Sequence, residues 1–195
     1  MARPRKDQEG PTAVERMRIA FWELLEEKPY SAITVKLLTQ RACVNHNTFY
    51  YHFANIDDMA MRFFQDSVPG ELVESIIGMV LGKESGFDAV REVPDMALHF
   101  HRVRLVLKSG SHSFIETARR QLAKTWMGEL GIGEEEVSAA DWAKLDFVWG
   151  GITALMASEE AKTFEDYFAH LQDGIVDCVS QLVRSIGVEH GVAKQ

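Results

Sequence analysis

The chain has 195 residues, 46% of them hydrophobic, and a formal net charge of −8. This composition supports one large or two small domains with a real core, and the negative charge excludes a protein that coats nucleic acid indiscriminately. No apolar run is long enough to span a membrane, and no apolar stretch of a secretory signal follows the basic start, so we expect a cytoplasmic protein.

The first predicted helix begins at a capping-box pattern, Thr12-Ala-Val-Glu15, and ends before Pro29. Its apolar residues follow a helical spacing from Val14 to Leu25. Residues 1–10 precede it as a basic arm carrying Arg3, Arg5 and Lys6. Such an arm can reach a DNA minor groove or stay solvated, and the sequence leaves both open.

Residues 34–52 predict two short helices packed across a tight turn. Thr34 is a good N-cap for the first helix and Asn45 for the second. Leu38, Ala42 and Phe49 supply apolar contacts at spacings that suit this arrangement. The pattern is typical of a helix-turn-helix unit.

The second of these helices presents mainly polar and aromatic side chains that end in a hydrogen-bonding group. Phe49 and Phe53, four residues apart, are expected to hold the helix to the core. The exposed set suits entry into a DNA major groove. It comprises His46, Asn47, Thr48, Tyr50, Tyr51 and His52.

The rest of the chain predicts further helices and no strand, which makes the fold class all-α. The predicted ranges are 56–67, 71–82, 94–107, 111–129, 138–158 and 164–186. Pro94 is expected to start its helix, Ser138 and Thr163 to open capping boxes, and Gly187 to end the last helix.

Charge separates two predicted domains, 1–62 and 63–195. Residues 1–62 carry nine basic and eight acidic side chains, whereas residues 63–195 carry twelve and 21. An acidic C-terminal domain beside a near-neutral N-terminal domain favours a limited set of phosphate contacts over general DNA binding.

The last two predicted helices are long and apolar, and either their own domain covers them or they pair with a second chain in a four-helix bundle. Gly150 and Gly151 would allow a close approach of two backbones, so we favour pairing. The predicted interface residues are Trp142, Leu145, Trp149, Ile152, Phe168, Leu171, Ile175, Cys178 and Leu182.

We expect neither catalysis nor a bound metal or cofactor. No common nucleotide-binding, hydrolase or metalloprotease motif occurs. His99 and His101 are two positions apart and point to different helix faces, so they do not form a metal pair. Cys43 and Cys178 form no metal or redox motif, and free thiols are expected.

The helix-turn-helix segment closely resembles the N-terminal module of the TetR family of bacterial transcriptional regulators. The shared features are Ile33-Thr34-Val35, Ala42-Cys43-Val44, Thr48-Phe-Tyr-Tyr-His-Phe53 and Asp57-Asp58-Met59. The variant TFYYHF is most similar to the branch related to dihydroxyacetone-kinase regulators. Cys43 replaces the usual turn glycine, and Ile56 stands where the family usually has a phosphate-contacting lysine.

The resemblance implies a repressor that binds a palindromic double-stranded DNA operator as a homodimer. We expect phosphate contacts from Thr34, Lys36 and Tyr50, and base contacts from His46, Asn47, Tyr51 and His52. Asn45 and Thr48 complete the predicted DNA-binding set.

The resemblance also implies that a small-molecule effector binds among the helices at 71–129. We expect an apolar or amphipathic ligand in a closed volume above roughly 300 Å³. The predicted wall residues are Met79, Met96, His99, Phe100, Phe114 and Trp126. The alternative is a helical protein-interaction adaptor with a degenerate DNA-binding head. The departures from the family pattern at Cys43 and Ile56 favour this alternative.

Overall fold

The computed structural model describes residues 10–80, 86–109 and 112–190. Within these ranges every regular element is helical and no strand occurs, which confirms the all-α prediction. No helix in the same ranges combines the length and apolar character needed to cross a membrane. The chain divides into two compact units, Met1–Phe63 and Phe64–Gln195.

The N-terminal unit contains three helices and the start of a fourth. They are α1 (Ala13–Glu27), α2 (Val35–Arg41), α3 (His46–His52) and α4 (Ile56–Gln65), with a 3₁₀ turn at Tyr30–Ala32 after α1. Thr12 caps α1 as predicted, because its hydroxyl accepts from the Glu15 N–H at 3.2 Å. The core of this unit is Met17, Phe21, Leu24, Leu38, Phe49, Met59 and Phe63.

The C-terminal unit contains the remaining helices. They are α5 (Gly70–Val80), α6 (Gly86–Glu92), α7 (Met96–Ser109), α8 (His112–Glu129), α9 (Ala139–Ala157), α10 (Phe164–His170) and α11 (Val176–Glu189). The capping boxes predicted at Ser138 and Thr163 are confirmed, with reciprocal bonds to Asp141 and Asp166.

Four details differ from the sequence-based prediction. The short helix α6 was not predicted. Pro94 lies in the turn before α7, where Asp95 adopts a left-handed φ of 54°. Gly187 lies inside α11, which continues to Glu189.

The fourth difference is the largest: the single helix predicted over 164–186 is two helices. A π-helical turn, Leu171–Ile175, joins α10 to α11, and its backbone is kinked at Asp173 and Gly174. Gly174 has a φ of 86°, a left-handed conformation that glycine adopts without steric cost. One glycine therefore allows the chain to kink at this position.

Asp141 is a fully buried carboxylate at the start of α9. Its Oδ2 accepts from the Ser138 N–H at 2.9 Å and from the Ser138 hydroxyl at 2.7 Å, and lies 2.9 Å from Nε2 of His190. Lys144, itself bonded to Glu189, has its Nζ 3.9 Å from Oδ1. This network joins the start of α9 to the end of α11.

We expect the Asp141 network to stabilise the protein above about pH 4 and to fail towards pH 2. Burial alone would raise the pKa of Asp141, but the bonds with His190 and Ser138 outweigh it and lower the pKa from 3.8 to about 2. A folded-state pKa below the unfolded value stabilises the fold above that unfolded value, and the benefit disappears as the carboxylate is protonated. The shift corresponds to about 2 kcal/mol.

Urea unfolding of the wild type and of Asp141→Asn at pH 6 and pH 2.5 measures this contribution. The variant should be less stable at pH 6, and the difference should shrink at pH 2.5. An equal difference at both pH values would mean that the carboxylate charge contributes nothing. Asp166→Asn, an exposed capping residue, is the control.

Candidate nucleic-acid interface and ligand cavity

The turn between α2 and α3 is fixed by backbone bonds and by one strained residue. Thr34 caps α2, since its hydroxyl accepts from the Leu37 N–H at 3.2 Å. The Val44 N–H donates to the Thr39 carbonyl at 3.0 Å, which closes the turn. Cys43, between the two helices, is exposed and has a φ of 52°.

We expect Cys43→Gly to stabilise the N-terminal unit by up to about 1 kcal/mol, because glycine removes the left-handed strain. The matched control is Cys178→Gly, which removes an exposed thiol from inside α11. That change should destabilise the protein by about 1 kcal/mol, the usual cost of glycine within a helix. The unfolding temperatures of the two variants should therefore shift in opposite directions. If Cys43→Gly unfolded at a lower temperature than the wild type, the claim that the Cys43 backbone is strained would be wrong.

Helix α3 is held to its unit by a buried aromatic side chain and capped as predicted. The Asn45 side-chain oxygen accepts from the Asn47 N–H at 2.8 Å, so this side chain is occupied by the cap. Phe49 is fully buried and packs against Phe53, with ring centroids 5.6 Å apart. The helix can therefore present its other side chains without losing its attachment.

The predicted DNA-facing residues divide by exposure. Tyr51 is 84% exposed and Tyr50 54%. Thr48 and His52 are only partly exposed, and the His52 ring packs edge-on against Tyr51 at 5.0 Å. Thr34, Lys36, Asn45, His46 and Asn47 are exposed.

Tyr30 and Asp57 form a contact that sequence reasoning missed. The Tyr30 hydroxyl donates to Oδ1 of Asp57, a short hydrogen bond between the turn after α1 and the start of α4. Burial and this bond raise the pKa of Tyr30, so the phenol remains protonated. The pair is 27 residues apart, and its only sequence signal is a tyrosine beside Pro29. Its effect is to fix the first turn of α4 within the N-terminal unit.

The start of α4 offers no basic side chain. Ile56 is partly buried there, and Asn55 caps the helix by accepting from the Asp58 N–H at 2.8 Å. Arg62, the basic residue of α4, pairs with Asp58 and lies 5.5 Å over the Phe53 ring. With Asp57 and Asp58 in its first turn, the start of this helix therefore offers no cation to a phosphate.

The C-terminal unit encloses an apolar cavity of about 190 Å³. Five of the six predicted wall residues line it, namely Met79, Met96, His99, Phe100 and Trp126. The side chain of the sixth, Phe114, lies outside the described residues. The cavity is smaller than the roughly 300 Å³ expected, because aromatic side chains of α7 and α10 fill much of this region.

Three residues predicted for the dimer interface are core residues of their own subunit. Leu145, Phe168 and Leu171 are each at most 5% exposed within a single chain, so their side chains cannot be offered to a partner. For these three residues the interface prediction is wrong, because they lie on the inner side of the apolar stripe. Trp142, Trp149, Ile152, Ile175 and Leu182 are partly exposed, and Cys178 is exposed.

An exposed apolar groove does lie between α9 and α11. It is lined mainly by Phe147, Gly151, Ile152, Gly174, Ile175, Cys178 and Leu182, and we call it the α9–α11 groove. Phe147 was not predicted, although it is 74% exposed. A sequence signal for it does exist: Phe147 lies on the face of the predicted helix opposite Leu145 and Val148, and close to two glycines. An apolar residue on that face indicates an exposed contact surface.

Comparison with known proteins bears on the N-terminal unit. Residues 20–62 match the family model described as bacterial regulatory proteins, tetR family. Neither the curated proteins nor the solved structures give a match. The match covers the second half of α1, all of α2 and α3 and most of α4, which include the helix-turn-helix. The chain is therefore a DNA-binding transcriptional regulator with a tetR-type N-terminal domain.

Proposed function

We propose that this protein is a homodimeric repressor that binds a near-palindromic operator and releases it when a small molecule fills the cavity of its C-terminal unit. The observation that carries the proposal is the exposed surface of α3, with Tyr51 at 84% exposure on a helix anchored by buried Phe49. An exposed aromatic side chain on a rigid helix suits insertion into the major groove. The branch related to dihydroxyacetone-kinase regulators remains part of this proposal.

Contacts to DNA follow from the exposure pattern. Lys36 and Thr34, at the start of α2, and Tyr50 are assigned to phosphates. His46, Asn47 and Tyr51 are assigned to base edges, because their polar ends are free of the cap that occupies Asn45. His52 and Thr48 take part less directly, since both are half-buried.

Dimer formation is supported by the α9–α11 groove. Phe147 is 74% exposed, and such an apolar surface on a regulator is well covered by a second copy. A methyl group added at Gly150 or Gly151 would meet no heavy atom within 4 Å, so this stretch of α9 is open to an approaching backbone. Two heads related by a two-fold axis would then reach half-sites about 34–36 Å apart or slightly more.

Ligand control is supported by the position of Phe64. This residue lies in the last turn of α4 and lines the cavity. The same helix begins at Ile56 in the N-terminal unit. A ligand that binds one arrangement of α4 better than another would shift the affinity for the operator.

Selection of random-sequence DNA by the full-length protein at physiological salt tests this function. We expect enrichment of a near-palindrome whose half-sites are about one helical turn apart or slightly more. Enrichment of no sequence would overturn the proposal and favour the protein-interaction adaptor. Reporter expression from the selected operator then distinguishes repression from activation.

A further inference from the structure

The charged residues that line the cavity are already paired. Arg119 of α8 donates to Asp146 of α9 across the wall and also to Glu116, with Nη2 2.8 Å from Oε2. The Thr153 hydroxyl donates to the Trp149 carbonyl at 2.7 Å. The surface that a ligand meets is consequently almost all hydrocarbon.

One hydroxyl at the wall has no hydrogen-bond partner in the described part of the chain. Tyr167 of α10 is 7% exposed and lines the cavity, and its hydroxyl makes no hydrogen bond with the described part of the chain. Its ring is held between neighbours, with the Phe100 centroid at 5.2 Å. Burial raises the pKa of Tyr167, so the phenol is neutral and can donate or accept.

The Tyr167 hydroxyl makes no bond within the described part of its own subunit, so it is available to a molecule in the cavity that it lines. Three other wall residues have a buried nitrogen without a partner within the described ranges: Nε1 of Trp126, Nδ1 of His99 and Nε of Arg119. A charged ligand would lose its hydration with no free counter-charge to replace it. A neutral oxygen is the group that satisfies Tyr167 without that cost.

The volume limits the size of the ligand. A cavity of roughly 150 Å³ lined by apolar side chains accepts benzene, and this one has about 190 Å³. We propose that the cavity binds a compact neutral molecule, about one substituted ring in size, whose single hydroxyl or carbonyl oxygen hydrogen-bonds to Tyr167. This inference rests on the proposed effector role of the cavity, and it narrows the predicted ligand by excluding charged compounds.

Three probes of similar size test the inference by calorimetry on the full-length protein: toluene, benzyl alcohol and benzoate. Tyr167→Phe should weaken benzyl alcohol binding roughly three- to tenfold, the net value of one hydrogen bond, and leave toluene binding unchanged. Benzoate should bind more weakly than benzyl alcohol in the wild type. The variant keeps the ring and loses an unpartnered hydroxyl, so its thermal stability should be equal or higher.

The inference is overturned if none of the probes binds, if Tyr167→Phe affects toluene and benzyl alcohol equally or affects neither, or if benzoate binds most tightly. A gel shift with the selected operator separates this result from the proposed function. If benzyl alcohol binds through Tyr167 but never releases DNA, the ligand assignment stands and effector control fails. If the operator is selected but the probe pattern is absent, DNA binding stands and the ligand assignment fails.

Discussion

Phe147→Asp should convert the protein into a folded monomer that binds its operator at least about 100-fold more weakly. The substituted side chain is 74% exposed within one subunit, so the subunit itself tolerates a carboxylate there. In the proposed dimer the same position faces an apolar seam, and each subunit would bury an unpaired charge at a cost of several kcal/mol. A factor of 100 in binding corresponds to about 2.7 kcal/mol, well within this penalty.

Light scattering after size-exclusion chromatography and a gel shift measure the two effects. Leu98→Asp is the matched control, because Leu98 is a 43% exposed apolar residue on α7 outside the α9–α11 groove. It should leave the dimer mass and DNA affinity unchanged. A dimeric Phe147→Asp protein with normal DNA affinity would place the interface elsewhere.

Tyr51→Ala should weaken specific operator binding by roughly 2–6 kcal/mol per dimer. Loss of one base-edge contact costs about 1–3 kcal/mol, and a homodimer carries the substitution in both half-sites. Because Tyr51 is 84% exposed and its hydroxyl contributes nothing to the core, the thermal stability should not change. Non-specific DNA binding at low salt should also survive.

Two further variants distinguish the possible causes of weaker operator binding. Tyr51→Phe retains the ring, so it separates stacking or packing on a base from hydrogen bonding by the hydroxyl. Phe49→Ala, two residues away but buried, should instead unfold the N-terminal unit at a cost of about 3–5 kcal/mol. If Tyr51→Ala binds its operator normally, α3 does not read bases through this residue.

The features predicted correctly from sequence are local ones. Thr34, Asn45 and Ser138 cap helices through bonds to residues two or three positions ahead, so a short window of sequence contains both partners. The strain at Cys43 follows from one turn between two recognisable helices. The cavity wall was largely anticipated because long apolar side chains cluster on α7 and α8.

The errors concern contacts that a short window does not contain. The apolar spacing around Leu171 and Ile175 continues through the kink, so periodicity alone could not show that Gly174 breaks the helix. Leu145 and Phe168 are equally apolar whether a domain or a partner covers them, and only the packed structure distinguishes the two. The Tyr30–Asp57 bond and the orphaned Tyr167 hydroxyl likewise depend on tertiary placement.

The kink at Gly174 also separates two helical segments of the C-terminal unit, which we expect to unfold locally and independently of each other. Residues of α10 such as Phe168 pack in one hydrophobic cluster, whereas Val183 and Ile186 of α11 pack in another. Between them the Val176 N–H reaches back to the Leu171 carbonyl in a wide π-type bond. Amide hydrogen exchange should therefore show two slowly exchanging segments separated by faster amides near Asp173, because α11 can open locally while α10 stays closed.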